Sequence, residues 1–237
     1  MNGSGQTSAP PSPATRDATG KVFHPTRSER IAALVADLTP GLGPLHPIRD
    51  ASAWLLISWS SAAALIWLLG PFRAGALAQW MSSPRFQLET VVVVLLSVLG
   101  GGLAALAAIP ARASARRSLA LVLALVAGWA ALLVWALVVP PFAPSMDGKR
   151  AACVLEVIAD AALPYALGLW WLRRRYAVLS PAATGAVLGL AAGAAPAILM
   201  QLACVYEGGH GLRFHLGPLL ACAIAGAAIA AWTTSRR

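Results

Sequence analysis

Residues 91–109 read VVVVLLSVLGGGLAALAAI. The stretch is apolar on every face, and it does not alternate as a barrel strand of about ten residues would. It lies inside an uncharged run of 22 residues between Glu89 and Arg112. A helix needs about 20 apolar residues to cross ~30 Å of hydrocarbon. The run therefore reads as a membrane crossing. Hydrocarbon offers the backbone no hydrogen-bond partners, so such a crossing is helical unless it belongs to a closed barrel.

The same spacing recurs along the chain. There are 22 uncharged residues between Asp50 and Arg73, 29 between Arg117 and Asp147, 31 between Arg175 and Glu207, and 22 between Arg213 and Arg236. Residues 151–172 are apolar apart from Glu156 and Asp160. Each run is long enough for one crossing and too short for two. Six transmembrane helices are expected, at about 52–70, 89–109, 119–141, 152–172, 182–203 and 214–233. The fold class is all-α integral membrane.

Composition agrees. Only 11% of the 237 residues are charged and 58% are hydrophobic, whereas a soluble domain carries about 25% charged residues. The net charge of +9 does not gather on one soluble face, which argues against direct nucleic-acid binding. It sits in short patches between apolar runs. Six crossings place 13 basic residues on one side: Arg16, Lys21, Arg27, Arg30, Arg49, Arg112, Arg116, Arg117, Arg173, Arg174, Arg175, Arg236 and Arg237. The other side holds 5, namely Arg73, Arg85, Lys149, Arg150 and Arg213. The positive-inside rule makes the richer side cytoplasmic, with both termini there.

The expected organisation follows. Residues 1–27 read as a disordered leader rich in Gly, Ser, Pro and Thr, without the apolar stretch of a signal peptide. Residues 28–51 form a cytoplasmic segment, 52–233 the six-helix domain, and 234–237 a cytoplasmic tail. Within the segment, Ser28–Leu38 (SERIAALVADL) suits a short amphipathic helix. Ser28 can cap it, Ile31, Leu34, Val35 and Leu38 share one face, and Pro40 ends it. That face can lie on lipid, dock on a partner, or pack beneath the bundle.

Catalytic motifs are missing. There is no GxSxG, HExxH or Walker loop. No enzyme activity and no cofactor is expected. Gly100, Gly101 and Gly102 have no flanking strand and read as a close helix contact. Gly185, Gly189 and Gly193 repeat every four residues, a ladder that lets a neighbouring helix approach.

The fourth expected helix is the unusual one. Cys153, Glu156 and Asp160 fall at i, i+3 and i+7, on one face. Carboxylates inside a membrane are costly unless they face protein or water. They read either as a proton, ion or metal-sensing site or as a buried polar network. The fourth and fifth helices form a hairpin, which brings Cys153 and Cys204 to the same outer edge, offset by about 6 Å along the axis. The pair suits a disulfide or a soft metal, with His210 and Glu207 nearby as further ligands. Cys222 sits mid-helix and reads as packing. His215 opens the last helix, and a lone histidine there is more often structural than a ligand.

Three stretches carry a resemblance: RIAALVADLTPGLGPLHPIRDA at 30–51, Cys153 ahead of the fourth helix, and LACVYEGGHGLRFHLGPLLA at 202–221. In this order and spacing the chain resembles the negative regulators of sigma F, membrane anti-sigma factors with a short cytoplasmic segment and six helices. The match includes Cys204, His210 and His215. The resemblance implies that the segment around Arg30–Pro47 holds an extracytoplasmic-function sigma factor at the bacterial inner membrane. It also implies release of that factor on an external heavy-metal or oxidative signal, with Cys153 and Cys204 as sensors. A small transporter or channel using Glu156 and Asp160 is the competing class. Against it, only one expected helix carries acids, and no inverted repeat is visible.

Overall fold

The computed structural model describes residues 26, 28–29, 31, 33, 47–69, 72–108, 115–140, 152–176, 178–204 and 206–235. The expected contact residues Leu34, Val35 and Leu38 lie outside them. The chain divides into two units, Met1–Leu45 and His46–Arg237.

In the first unit, Ser28, Glu29, Ile31 and Ala33 are helical, and Ile31 is exposed. The cap is Thr26, not the expected Ser28. The Thr26 amide donates to Glu29 Oε2 at 2.7 Å, and the Glu29 amide donates to Thr26 Oγ1 at 3.3 Å. This reciprocal pair needs a Glu three residues after the cap. Thr26 has one, whereas Ser28 is followed at that spacing by Ile31. The Thr26 amide and hydroxyl also hold the Glu29 carboxyl below its ordinary value.

Every element of the second unit is helical among the described residues. In chain order they are α1 (Pro47–Leu69), α2 (Ala76–Ser82), α3 (Pro84–Ala107), α4 (Ala115–Val138), α5 (Cys153–Arg175), α6 (Pro181–Ala203), α7 (Gly208–Gly211), a π-helical turn (Leu212–Leu216) and α8 (Gly217–Ser235). Five helical stretches are long and apolar enough to cross a membrane: α3, α4, α5, α6 and the continuous Gly208–Ser235. The first expected crossing falls in α1, whose apolar stretch is the shorter Ala53–Ala64.

Helix α2 was not expected, and α3 begins at Pro84 rather than near residue 89. Ser83 caps it by accepting from the Phe86 amide at 3.3 Å, and Pro84 occupies the first turn. Proline suits that turn because its missing N–H has no helical partner there anyway. Glu89 therefore lies inside the helix and is fully buried. This corrects the expectation that a single helix carries acids. Charge spacing treats every carboxylate as a boundary, but a carboxylate stays inside when the fold supplies partners. Here those are Tyr206, which donates to Glu89 at 2.5 Å, and Arg85, 4.0 Å away.

Helix α6 is the centre of the unit, buried along almost its whole length. Its glycines explain why. An added Cβ at Gly185 would run into the Gly226 carbonyl of α8, and one at Gly189 into the Cys222 carbonyl. At Gly193 it would meet Leu219 at 3.0 Å. The ladder thus sets α6 against α8 almost backbone to backbone. Lipid is as apolar as any side chain, so helices in it associate through such close packing. On other faces, Ala191 meets Gly100 of α3, and Val187, Leu190 and Ala194 are buried. Trp54 of α1 lies against Gly101 and Gly168 and donates to the Pro164 carbonyl at 2.7 Å. That carbonyl belongs to the α5 segment where proline interrupts the helical ladder.

Gly189→Ala should destabilise the protein by about 1–3 kcal/mol, because the methyl meets backbone that cannot move aside. Gly128→Ala, at a helical site with open space, should be neutral or slightly stabilising. Thermal unfolding in detergent reads both. Equal melting temperatures for the two variants would contradict the packing described.

Candidate metal centre at one end of the bundle

Helix α5 begins with Cys153, and α6 ends just before Cys204. The two helices run antiparallel through the turn between Arg175 and Pro181. The middle of that turn lies later in sequence than expected. Cys153 and Cys204 are therefore about level, one residue or ~1.5 Å apart along the axis. Their sulfurs stand 2.9 Å apart and are not joined in a disulfide. Cys204 closes α6 in an extended conformation, with its amide on the Met200 carbonyl at 2.7 Å.

The chain then returns through GGHG. An added Cβ at Gly208 would sit 2.7 Å from the Leu133 carbonyl, and one at Gly211 would sit 2.8 Å from the Leu133 side chain. Only glycine lets α7 press this closely on α4. That contact places His210 Nε2 3.0 Å from Cys204 Sγ. The π-helical turn follows, closed by the Gly217 amide on the Leu212 carbonyl, a bond spanning five residues. In an α-helix, residues five apart point about 140° away from each other at 100° per residue. The wider π-turn removes much of that angle and brings His215 beside His210, with ring centroids 5.3 Å apart. Pro218 favours the widening. It has no N–H for the Phe214 carbonyl, and its ring crowds that position.

The result is a four-residue group. Ligand atoms of Cys153, Cys204, His210 and His215 all lie within 4.8 Å of one another. Zinc bonds of ~2.3 Å to sulfur and ~2.0 Å to nitrogen imply tetrahedral ligand separations of about 3.3–3.8 Å. A small outward shift of the thiols would complete that geometry. His215 is 1% exposed, and its nearest ligand-type neighbours are Cys153, Cys204 and His210. A buried imidazole whose polar neighbours are thiols and a second imidazole suits a metal ligand. Val157, Met200 and Ala203 pack around the thiols, with Leu199 and Phe214 outside them. Thiol and imidazole donors in a dry shell suit borderline and soft ions such as Zn²⁺ and Cu⁺.

Two polar contacts anchor the surroundings. The Arg73 amide donates to the Leu202 carbonyl at 3.1 Å. Burial pushes the Arg73 guanidinium below its ordinary value, and its attraction to the Cys204 sulfur opposes that push. Tyr206, two residues beyond Cys204, stacks on Phe86 with centroids 4.4 Å apart and donates to Glu89. Burial, then the neighbouring Glu89, raises the Tyr206 phenol, so it stays a donor. The loop that carries His210 is thereby fastened to α3.

Of the residues singled out by sequence, the structure brings together Cys153, Cys204 and His210 and adds His215. Glu156 stands apart from this group, half-buried in the first turn of α5. Glu207 is exposed, and Asp160 is buried further along the same helix. Cys222 packs against Gly189 and Gly193. Sequence reasoning overlooked His215 as a ligand, and with it Arg73, Glu89 and Tyr206. Its one available signal was two histidines five apart followed by Pro218, a pattern that signifies only if the turn is π-helical.

Neither the curated proteins nor the solved structures offer a match to this chain. The family model described as negative regulator of sigma F matches residues 34–234, most of the sequence and all of the four-ligand group. Its name describes negative control of a sigma factor. The chain belongs to the negative regulator of sigma F family.

Proposed function

We propose that this protein is a membrane-bound anti-sigma factor of the bacterial inner membrane. It sequesters an extracytoplasmic-function sigma factor through its cytoplasmic segment and releases it on a heavy-metal or oxidative signal. The observation that carries this reading is the buried Cys153–Cys204–His210–His215 group at one end of the bundle. Connectivity puts Arg116, Arg117, Arg173 and Arg174 at the opposite end. By the positive-inside rule that arginine end is cytoplasmic. The thiols then face outward, with α1 as a sixth crossing and both termini inside. A sensor outside and a protein-binding segment inside is the arrangement that such a switch needs.

The mechanism is a two-state equilibrium, in which the signal must bind the two states differently. The four ligands come from three elements: the start of α5, the end of α6 and the π-helical region. A disulfide between Cys153 and Cys204 would draw α5 and α6 together, and a bound metal would reset the spacing of all three elements. Tyr206 and Glu89 would pass the movement to α3. No catalytic step is required, and no resident cofactor is assigned.

A small transporter or channel is the second reading. The burial of Glu89 and Asp160 in two different helices favours it. Such a protein would lose cation uptake in Asp160→Asn, while sigma factor binding would not exist to be lost.

In a two-hybrid assay, the full-length protein should bind an extracytoplasmic-function sigma factor of its own cell, and Leu34→Glu with Leu38→Glu should abolish that binding. Lack of binding by the intact protein in membranes would remove the anti-sigma reading. Separately, the purified protein should bind one Cd²⁺ or Zn²⁺ per chain and release protons as the thiols ionise. Cys153→Ser with Cys204→Ser should eliminate binding, and His215→Ala should weaken it. A metal-triggered transcriptional response that persists unchanged in the double cysteine variant would refute the proposed sensor.

A further inference from the structure

A second recess lies on the opposite side of the ladder helix from α3. It is a groove of about 720 Å³ between α5 and α8, floored by Gly189 of α6. Small residues create it: Ala162 and Ala166 on one wall, Ala221 and Ala225 on the other. The walls are held at fixed separation by two hydrogen bonds between the helices. Tyr165 Oη donates to the Gly226 carbonyl at 2.7 Å, and Arg173 Nη2 donates to the Thr233 carbonyl at 2.7 Å.

The groove is chemically polarised. From Ile158 to Leu169 its α5 wall is almost entirely apolar, with the Tyr165 hydroxyl turned to the Gly226 carbonyl. These eleven steps span about 16 Å at ~1.5 Å per residue, close to half of a ~30 Å hydrocarbon core. Beyond them come Trp170, Arg173 and Arg174 in succession. Arg174 lies over the Trp170 ring, 4.5 Å from its centroid. Tryptophan followed by arginine is the pattern of a residue belt at the headgroup level. Arg85 and Glu89 form an ion pair at the other end of the bundle. No described carboxylate neutralises the two arginines.

We infer that this groove is a binding site for one anionic phospholipid: an acyl chain lies between α5 and α8, and the phosphate rests on Arg173 and Arg174. Bulk lipid would cover any exposed helix, but a recess with fixed walls holds a chain in place. Two cations at its mouth select for negative headgroups. A second copy of this chain is the weaker occupant. Two-fold packing of parallel copies through this face would bring both arginine pairs together without a counter-charge. The inference requires only that α5 and α8 cross the bilayer, and it is independent of the metal centre at the far end.

The test uses full-length protein in nanodiscs containing equal amounts of phosphatidylglycerol and phosphatidylcholine. Native mass spectrometry after gentle release counts the retained lipids. One phosphatidylglycerol should remain per chain, preferred over phosphatidylcholine by about tenfold or more, as two arginines near a phosphate imply. Arg174→Gln, which leaves the Arg173–Thr233 bond intact, should reduce that preference severalfold. Ala166→Leu with Ala225→Leu should fill the groove and eliminate the retained lipid, while an unchanged melting temperature in detergent reports a folded protein. Equal retention of the two lipids would overturn the proposal. So would a preference that survives both variants, or a retained second copy of the chain in place of lipid.

Discussion

Helices α6 and α8 meet where Gly185 and Gly189 face the Gly226 and Cys222 carbonyls. In water, such a contact would be one contribution beside a much larger hydrophobic term. In hydrocarbon it carries more of the weight, because burying apolar side chains away from lipid gains little. Close approach multiplies dispersion contacts, and only residues without side-chain bulk permit it. The rest of the bundle depends on this seam. It centres α6, and it fixes the direction in which α8 and the turn before it leave the core.

The group of Cys153, Cys204, His210 and His215 is a consequence of that placement. Cys204 ends the central helix, and the chain must return to start α8 along the glycine seam. The return is short, so it folds as the glycine-rich α7 and the π-helical turn. Gly208 and Gly211 press this turn against α4, and Tyr206 ties its entrance to α3. The histidines are therefore held by contacts to several helices at once. A change in ligand spacing would be felt at each of them, which is the property a sensor needs.

The two ends of the bundle are chemically opposite. One gathers soft ligands, a buried carboxylate and a partly buried arginine. The other gathers arginines and tryptophan around an apolar groove. The first suits a chemical signal and the second suits anionic lipid. Between them lie five helices long and apolar enough to separate two aqueous sides.

The sequence alone determined the all-helical class and most of the helices long and apolar enough to cross a membrane, because uncharged runs of 22 residues or more leave the backbone no other way to satisfy itself in lipid. It also determined the glycine ladder and the convergence of Cys153 with Cys204, since helix geometry places residues four apart on one face and returns a hairpin to its starting edge. Only the tertiary structure decided that Glu89 is interior, because its partner Tyr206 lies 117 positions away. Only it decided that His215 joins His210, because that depends on a local change of helical pitch. The groove between α5 and α8 was equally hidden. Its walls are small residues spread over three helices, each of them unremarked until packing sets them side by side. Periodicity is a property of one helix and can be read along the chain. Ligand sets and cavities are properties of several helices together, and they exist only once those helices are packed.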